Sequence, residues 1–351
     1  MNHKATYEKD GYLVVRGLLD VERDIHPIQK AYASLLDSLA EIYTVEAGGP
    51  SLEGMTFQER FAASLGASAG QVLHHLDPVL NIFQKNYKWR TDLPAAQIPE
   101  MFNLIRHEKV LDVLEELIGG EVFSSPIYHV NMKLCPDHLK MAEQIAKSNP
   151  NGDLSDESFY TFQVGKTGWH MDSISGLKDS HTSDIAVAWI PISEANEENG
   201  CLLVIPGSHK GDVVRGPFDE DVIEKGIPLP VVPGDVVFLH NKLLHGSIPN
   251  TSKNGLFRWA FNFRFLPVGQ PCGRPFMPGF VARSRSAPDT ELRNPYIWGA
   301  MWQRALGYLA TVGTPYAYSD LANISSKEAG RISQHWHDLA PDVNGWLRVG
   351  G

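Results

Sequence analysis

The stretch Thr167-Gly-Trp-His-Met-Asp-Ser173, with Leu243-Leu-His-Gly-Ser-Ile-Pro-Asn250 far downstream, decides how this chain is read. His170 and Asp172 stand two apart, so an extended segment points both side chains to one face. His245 follows 75 positions later (245 − 170). It lies in PGDVVFLHNKLLHGS, which reads as a turn, an apolar strand from Val236 to Leu239 and a polar loop. Two imidazoles and one carboxylate form the facial triad of a non-haem Fe(II) oxygenase, which leaves the opposite face of the metal open. The HxD spacing alone says little in a chain with 14 histidines, so the joint pattern carries the reading. His240 competes for the third position, but it ends an apolar strand. His245 is followed by Gly246-Ser247, as a ligand at a strand end would be.

Outward from these segments, the chain changes character at about residue 121. Before it, Tyr12 to Val15 reads as a short strand, and helical patterns cover Asp20 to Tyr43, Phe57 to Asp77 and Pro99 to Ile118. After it, strands are expected at Val122–Leu134, Tyr160–Val164, Ile185–Ile192, Cys201–Ile205, Leu229–Val232, Val236–Leu239 and Arg258–Leu266. Many short strands without interleaved helices imply a mainly β fold, an antiparallel double-stranded β-helix of the jelly-roll, cupin-like class. Helices from the N- and C-terminal parts would flank it. A single domain is expected over 1–351: a helical layer at 1–120, a core at 121–267 and a helical extension at 268–351. Two segments, 136–157 and 173–183, interrupt the strands and are expected to act as lids. Trp298, Trp302 and Tyr308 have the spacing of a helix packed against the outside of the barrel.

Composition narrows the partners. The formal charge is −10, with 31 Lys and Arg against 41 Asp and Glu, which opposes phosphate-backbone binding. Nucleic acid is therefore not an expected partner; a small-molecule substrate is. Cys135, Cys201 and Cys272 match neither a zinc spacing nor a disulfide framework. The start MNHKATYEKDGY has no apolar signal core, the end LRVGG is not an SKL-type address, and no run suits a membrane span. A cytoplasmic monomer or homodimer without membrane contact is expected.

An iron(II) centre of this kind cleaves O2 with two electrons from a bidentate 2-oxo acid, whose far carboxylate needs a cation. Arginine suits that task because its planar fork pairs both carboxylate oxygens. In RWAFNFRF, alternation places Trp259, Phe261, Phe263 and Phe265 on one face and Arg258, Ala260, Asn262 and Arg264 on the other. Arg258, beside small Ala260, is the expected anchor; Arg264 competes for that role, against a surface salt bridge as its plainer reading. His129, Asn131 and Lys133 alternate on one face of their strand, and one of them or Gln163 would reach the pocket.

Over about residues 6–267 the chain resembles the phytanoyl-CoA dioxygenase family of Fe(II)/2-oxoglutarate oxygenases. The resemblance is carried by YEKDGYLVVRGLL, WHMD, AVAWIPISEANEENGCLLVIPGSHKG and PGDVVFLHNKLLHGSIPNTS followed by RWA. It implies iron ligands at His170, Asp172 and His245, and 2-oxoglutarate on Arg258 with a hydrogen bond from Ser247. It also implies a pocket wall at Trp189 and a structural turn around His209. Fe(II), 2-oxoglutarate and O2 are the implied cofactor and cosubstrates. Relatives that halogenate lack the carboxylate ligand; Asp172 favours hydroxylation, with desaturation, epoxidation or cyclisation as alternative outcomes. A non-catalytic cupin-like metal or ligand-binding protein is the expectation from another class. Arg283 and Arg285 are candidates for an acidic substrate group.

Overall fold

The computed structural model describes residues 2–46, 48–83, 90, 92–148, 164–274 and 277–312. The chain opens with α1 (His3–Asp10) and β1 (Tyr12–Val15), then α2 (His26–Ala40), which has a π-helical turn at each end. Next come α3 (Phe57–Ala67), α4 (Leu73–Leu76), α5 (Pro99–Ile105) and α6 (Glu108–Ile118). The cap of α3 follows from sequence: the Thr56 hydroxyl accepts from Glu59 N while the Glu59 carboxylate accepts from Thr56 N. The expected helix over Pro99–Ile118 is two helices, broken at Arg106-His107.

A long strand, β2 (Glu121–Lys133), leads to α7 (Pro136–Ser148). Then follow β3 (Ala186–Pro191), β4 (Leu202–Val204), the single-turn α8 (Glu220–Ile223), β5 (Ile227–Leu229) and β6 (Val236–His240). The last elements are β7 (His245–Ser247), β8 (Arg258–Pro267), β9 (Phe280–Ser284) and α9 (Pro295–Val312). One antiparallel sheet has six strands in the order β1-β6-β3-β8-β2-β9, and a second has three, β5-β4-β7. The expected strand at Tyr160–Val164 lies outside the described residues except for Val164. Against expectation, the segment after Pro271 does not return straight to helix. It first adds β9 to the edge of the large sheet beside β2, a short VAR run too weakly alternating to announce itself.

Alternation along β8 divides the core. Trp259, Phe261, Phe263 and Phe265 face the helices, where Tyr32, Phe57, Phe102, Trp298 and Trp302 join one apolar mass. The opposite face meets the small sheet: Val187, Trp189, Val237, Leu239 and Ala260 pack against Leu202, Val204 and Leu229. Trp298 and Trp302 are buried against Tyr128, as helix packing requires. The segment expected as the first lid is instead largely α7 docked on α3. A Cβ on Gly66 would meet Ala142 O at 2.4 Å, so the two helices approach through backbone there. Gly66→Ala is expected to cost roughly 1–3 kcal/mol in urea unfolding, because neither backbone can yield. Unchanged stability would show that the helices are not in this contact.

Candidate metal centre

His170 and His245 are joined as an isolated antiparallel bridge: His170 N donates to His245 O at 2.8 Å, and His245 N donates to His170 O at 3.0 Å. The HxD segment is thus not a full strand among the described residues. Met171 is extended, however, and that is enough to keep His170 and Asp172 on one side. The other side is anchored by Trp169 and Met171, which pack with Ile205, Leu244 and Phe218. Asp172 then starts a 3-10 turn, Asp172–Ser175.

Ligand atoms of His170, Asp172 and His245 all lie within 4.8 Å of one another. His170 Nδ1 donates to Gly168 O and His245 Nδ1 to Leu243 O, each at 2.9 Å. A carbonyl can only accept, so Nδ1 of each ring carries a proton and Nε2 is the atom turned to the shared centre. Those Nε2 atoms stand 3.8 and 3.7 Å from the Asp172 carboxylate oxygens. Burial, reinforced by His245, pushes the His170 imidazole down to about 3, so it is neutral near pH 7. Burial alone would raise the Asp172 carboxyl, but Arg264, His245 and His170 hold it below the usual carboxylate range. A neutral His170 imidazole and an ionised Asp172 carboxylate are the forms in which these groups can bind a divalent metal. His240 is elsewhere, stacked near His209 and Tyr7.

Arg258 is 1% exposed and sits at the position paired with Lys133 on β2. Its guanidinium lies 5.6 Å from the centre of the Trp189 ring, and its Nε donates to Gly200 O at 3.1 Å. Gly200 needs its left-handed φ of 97°, and a Cβ there would strike Ile248 O at 2.7 Å. Burial lowers Arg258 to about 10; burial and then Arg258 bring the Lys133 ammonium well below its ordinary value. Ser247, buried on β7, accepts from Thr167 N at 3.0 Å, which leaves its O–H to donate. The 13-residue interval from His245 to Arg258 (258 − 245) is taken up by a loop. In it Asn250 bonds Leu256 O and Lys133 O, setting Arg258 across from Lys133.

Two expectations are corrected. Arg264 is not in a surface salt bridge: it is 3% exposed, and its guanidinium donates to Asp172 Oδ1 and Ser175 Oγ. Arg283 and Arg285 are not positioned for a substrate. Arg283 binds Glu108, Asp112 and Glu115 of α6, and Arg285 binds Glu115. The second expected lid is packed down, with Leu177 N bonded to Gly273 O and the Ser183 hydroxyl to Pro271 O. Gln163 lies outside the described residues.

The family profile described as "Phytanoyl-CoA dioxygenase (PhyH)" matches residues 7–258. This chain belongs to that family. A "Phytanoyl-CoA dioxygenase domain-containing protein 1 homolog" of Caenorhabditis briggsae is 30% identical over 277 residues, 71% of this chain and 85% of the relative. A "Probable phytanoyl-CoA dioxygenase" of Caenorhabditis elegans is 26% identical over 185 residues, covering 48% of this chain and only about half, 52%, of its own length. Similar solved structures include "non-heme monooxygenase; ThoJ apo", with 14% identity, TM-score 0.48, and coverage of 95% of this chain and 99% of that one. The "epimerase SnoN in complex with Fe3+, alpha ketoglutarate and nogalamycin RO" has 18% identity and TM-score 0.45, covering 77% of this chain and 86% of that one.

The His170 state gives the family member a pH signature. Its folded-state value lies below the unfolded 6.5, so its contribution is complete above that pH and is lost on acidification towards about 3. The slope of metal-free stability against pH in this window is expected to flatten in His170→Gln. An identical slope in wild type and variant would show that the imidazole is solvated.

Proposed function

We propose that this protein is a non-haem Fe(II)/2-oxoglutarate-dependent dioxygenase that hydroxylates a small organic molecule with release of succinate and CO2. The reading rests on one arrangement: the metal-competent trio at one end of the inner β8 face and two buried basic side chains, Lys133 and Arg258, at the other. The two antiparallel sheets facing each other across that space are read as a double-stranded β-helix, with 1–351 as one unit.

The donor set fits iron. Asp172 Oδ2 is buried without a hydrogen-bond partner among the described residues, and both Nε2 atoms share its centre. Residues His170, Asp172 and His245 would hold the ion. When bound, iron with 2-oxoglutarate supplies activation of O2 and two electrons from oxidative decarboxylation. The protein's own part is positioning. Arg258 offers a planar fork and Lys133, once protonated, a point charge to the far carboxylate, Ser247 donates its hydroxyl, and Trp189 lies against the guanidinium. Lys133 enters the pocket set alongside Arg258 through their register.

Three outcomes test this. Succinate formation with Fe(II), 2-oxoglutarate and a panel of candidate substrates is expected in wild type and lost in His170→Ala. Turnover that survives the substitution removes iron from the mechanism. Tight zinc binding without a visible Fe(II)–2-oxoglutarate band would instead favour a binding protein. An arriving dianion favours the charged form of Lys133, so cosubstrate binding is expected to take up a proton over the range where the free protein holds Lys133 as the neutral amine. Affinity then weakens as pH rises. Calorimetry in buffers of different ionisation heat would detect the uptake, and Lys133→Met should abolish it.

A further inference from the structure

We infer that Arg264 is a positioning residue that confines the Asp172 carboxylate to single-oxygen metal ligation and so keeps a coordination position free for the cosubstrate. The inference rests on the metal reading above but concerns a residue which that reading does not need.

The two carboxylate oxygens of Asp172 have different surroundings. Oδ1 accepts from Arg264 Nη2 and lies 3.8 Å from His170 Nε2, whereas Oδ2, 3.7 Å from His245 Nε2, has no hydrogen-bond partner among the described residues. Arg264 is itself fixed: Nη1 donates to Ser175 Oγ, and Ser175 in turn donates to Asp172 O at 2.7 Å. Arg274, fully buried, donates from Nε to Ser175 O at 3.1 Å, so a second guanidinium braces the same turn. The carboxylate is therefore held at one oxygen by a cation on β8 and at its backbone by the hydroxyl that cation also grips. A free carboxylate beside a dication can swing to bind through both oxygens, filling a position the 2-oxo acid requires. Arg264 occupies the oxygen that such a swing would use.

The charge of Arg264 also opposes the metal. Removing it leaves a buried carboxylate whose remaining counter-charge is the ion itself, so metal affinity should rise while cosubstrate affinity falls. The test is calorimetric titration of the metal-free full chain with Co(II), then of the Co(II)-loaded chain with 2-oxoglutarate under nitrogen. Wild type, Arg264→Met and Arg264→Lys are compared, with Co(II) absorption reporting coordination. Arg264→Met is expected to bind Co(II) about tenfold tighter or more and 2-oxoglutarate about tenfold weaker or more, with an altered Co(II) spectrum. Arg264→Lys should return both affinities part of the way. If both affinities fall together, or neither moves, the inference is overturned. Should Arg264→Met not fold, Ser175→Ala loosens the guanidinium without removing charge and should weaken 2-oxoglutarate with an unchanged Co(II) affinity; no weakening overturns the inference. Wild-type protein that binds no Co(II) would sink the metal reading itself, a separate result.

Discussion

Two backbone hydrogen bonds between residues 170 and 245 are what the site depends on. They tie segments distant in sequence into one antiparallel bridge and hold the two imidazole rings with centroids 4.3 Å apart. Everything else in the centre is referred to that bridge. Met171 sets the spacing to Asp172 on one segment, and on the other β7 carries Ser247 two residues on. Each ligand ring spends its Nδ1 proton on a carbonyl two residues away, Gly168 or Leu243, so the same backbone that pairs the segments also orients the rings.

The large sheet supplies the second half of the site. A strand with aromatic residues on every second position must bury that face, and the helical layer accepts it. The alternate positions of β8 are thereby committed to the space between the sheets, where two arginines would be costly without anions. The structure gives Arg264 a carboxylate inside that space, and Arg258 the face of Trp189 and one carbonyl. Apolar packing on one face thus dictates the charge on the other.

Much of this was legible in the chain. Alternation in RWAFNFRF separates the aromatic from the polar face, whereas the strand expected at Leu229–Val232 lies at Ile227–Leu229 and the loop expected after Leu239 contains β7. The trio of His170, Asp172 and His245 came from spacing and is brought together. What the sequence withheld was pairing. Lys133 could be placed on a face with His129 and Asn131, but only the β2–β8 register sets it opposite Arg258. The sequence offers Arg264 only as a rival anchor or a surface ion pair, because nothing in a linear reading says that a 3-10 turn after Asp172 folds back onto β8. Arg283 failed as a substrate contact for a related reason: β9 carries it to three carboxylates spaced along one side of α6.

The proposed cosubstrate clamp at Lys133 and Arg258, a buried cross-strand pair, carries a consequence for the end of a catalytic cycle. On the reading proposed above, Arg258, Lys133 and the Ser247 hydroxyl would read a terminal carboxylate and nothing beyond it. Succinate would carry the same terminus as the 2-oxo acid from which it is formed. Discrimination between spent and fresh cosubstrate therefore falls to the other end of the chamber, where the keto group is present or missing. Departure of the coproduct would then be a competition at a clamp that does not distinguish them.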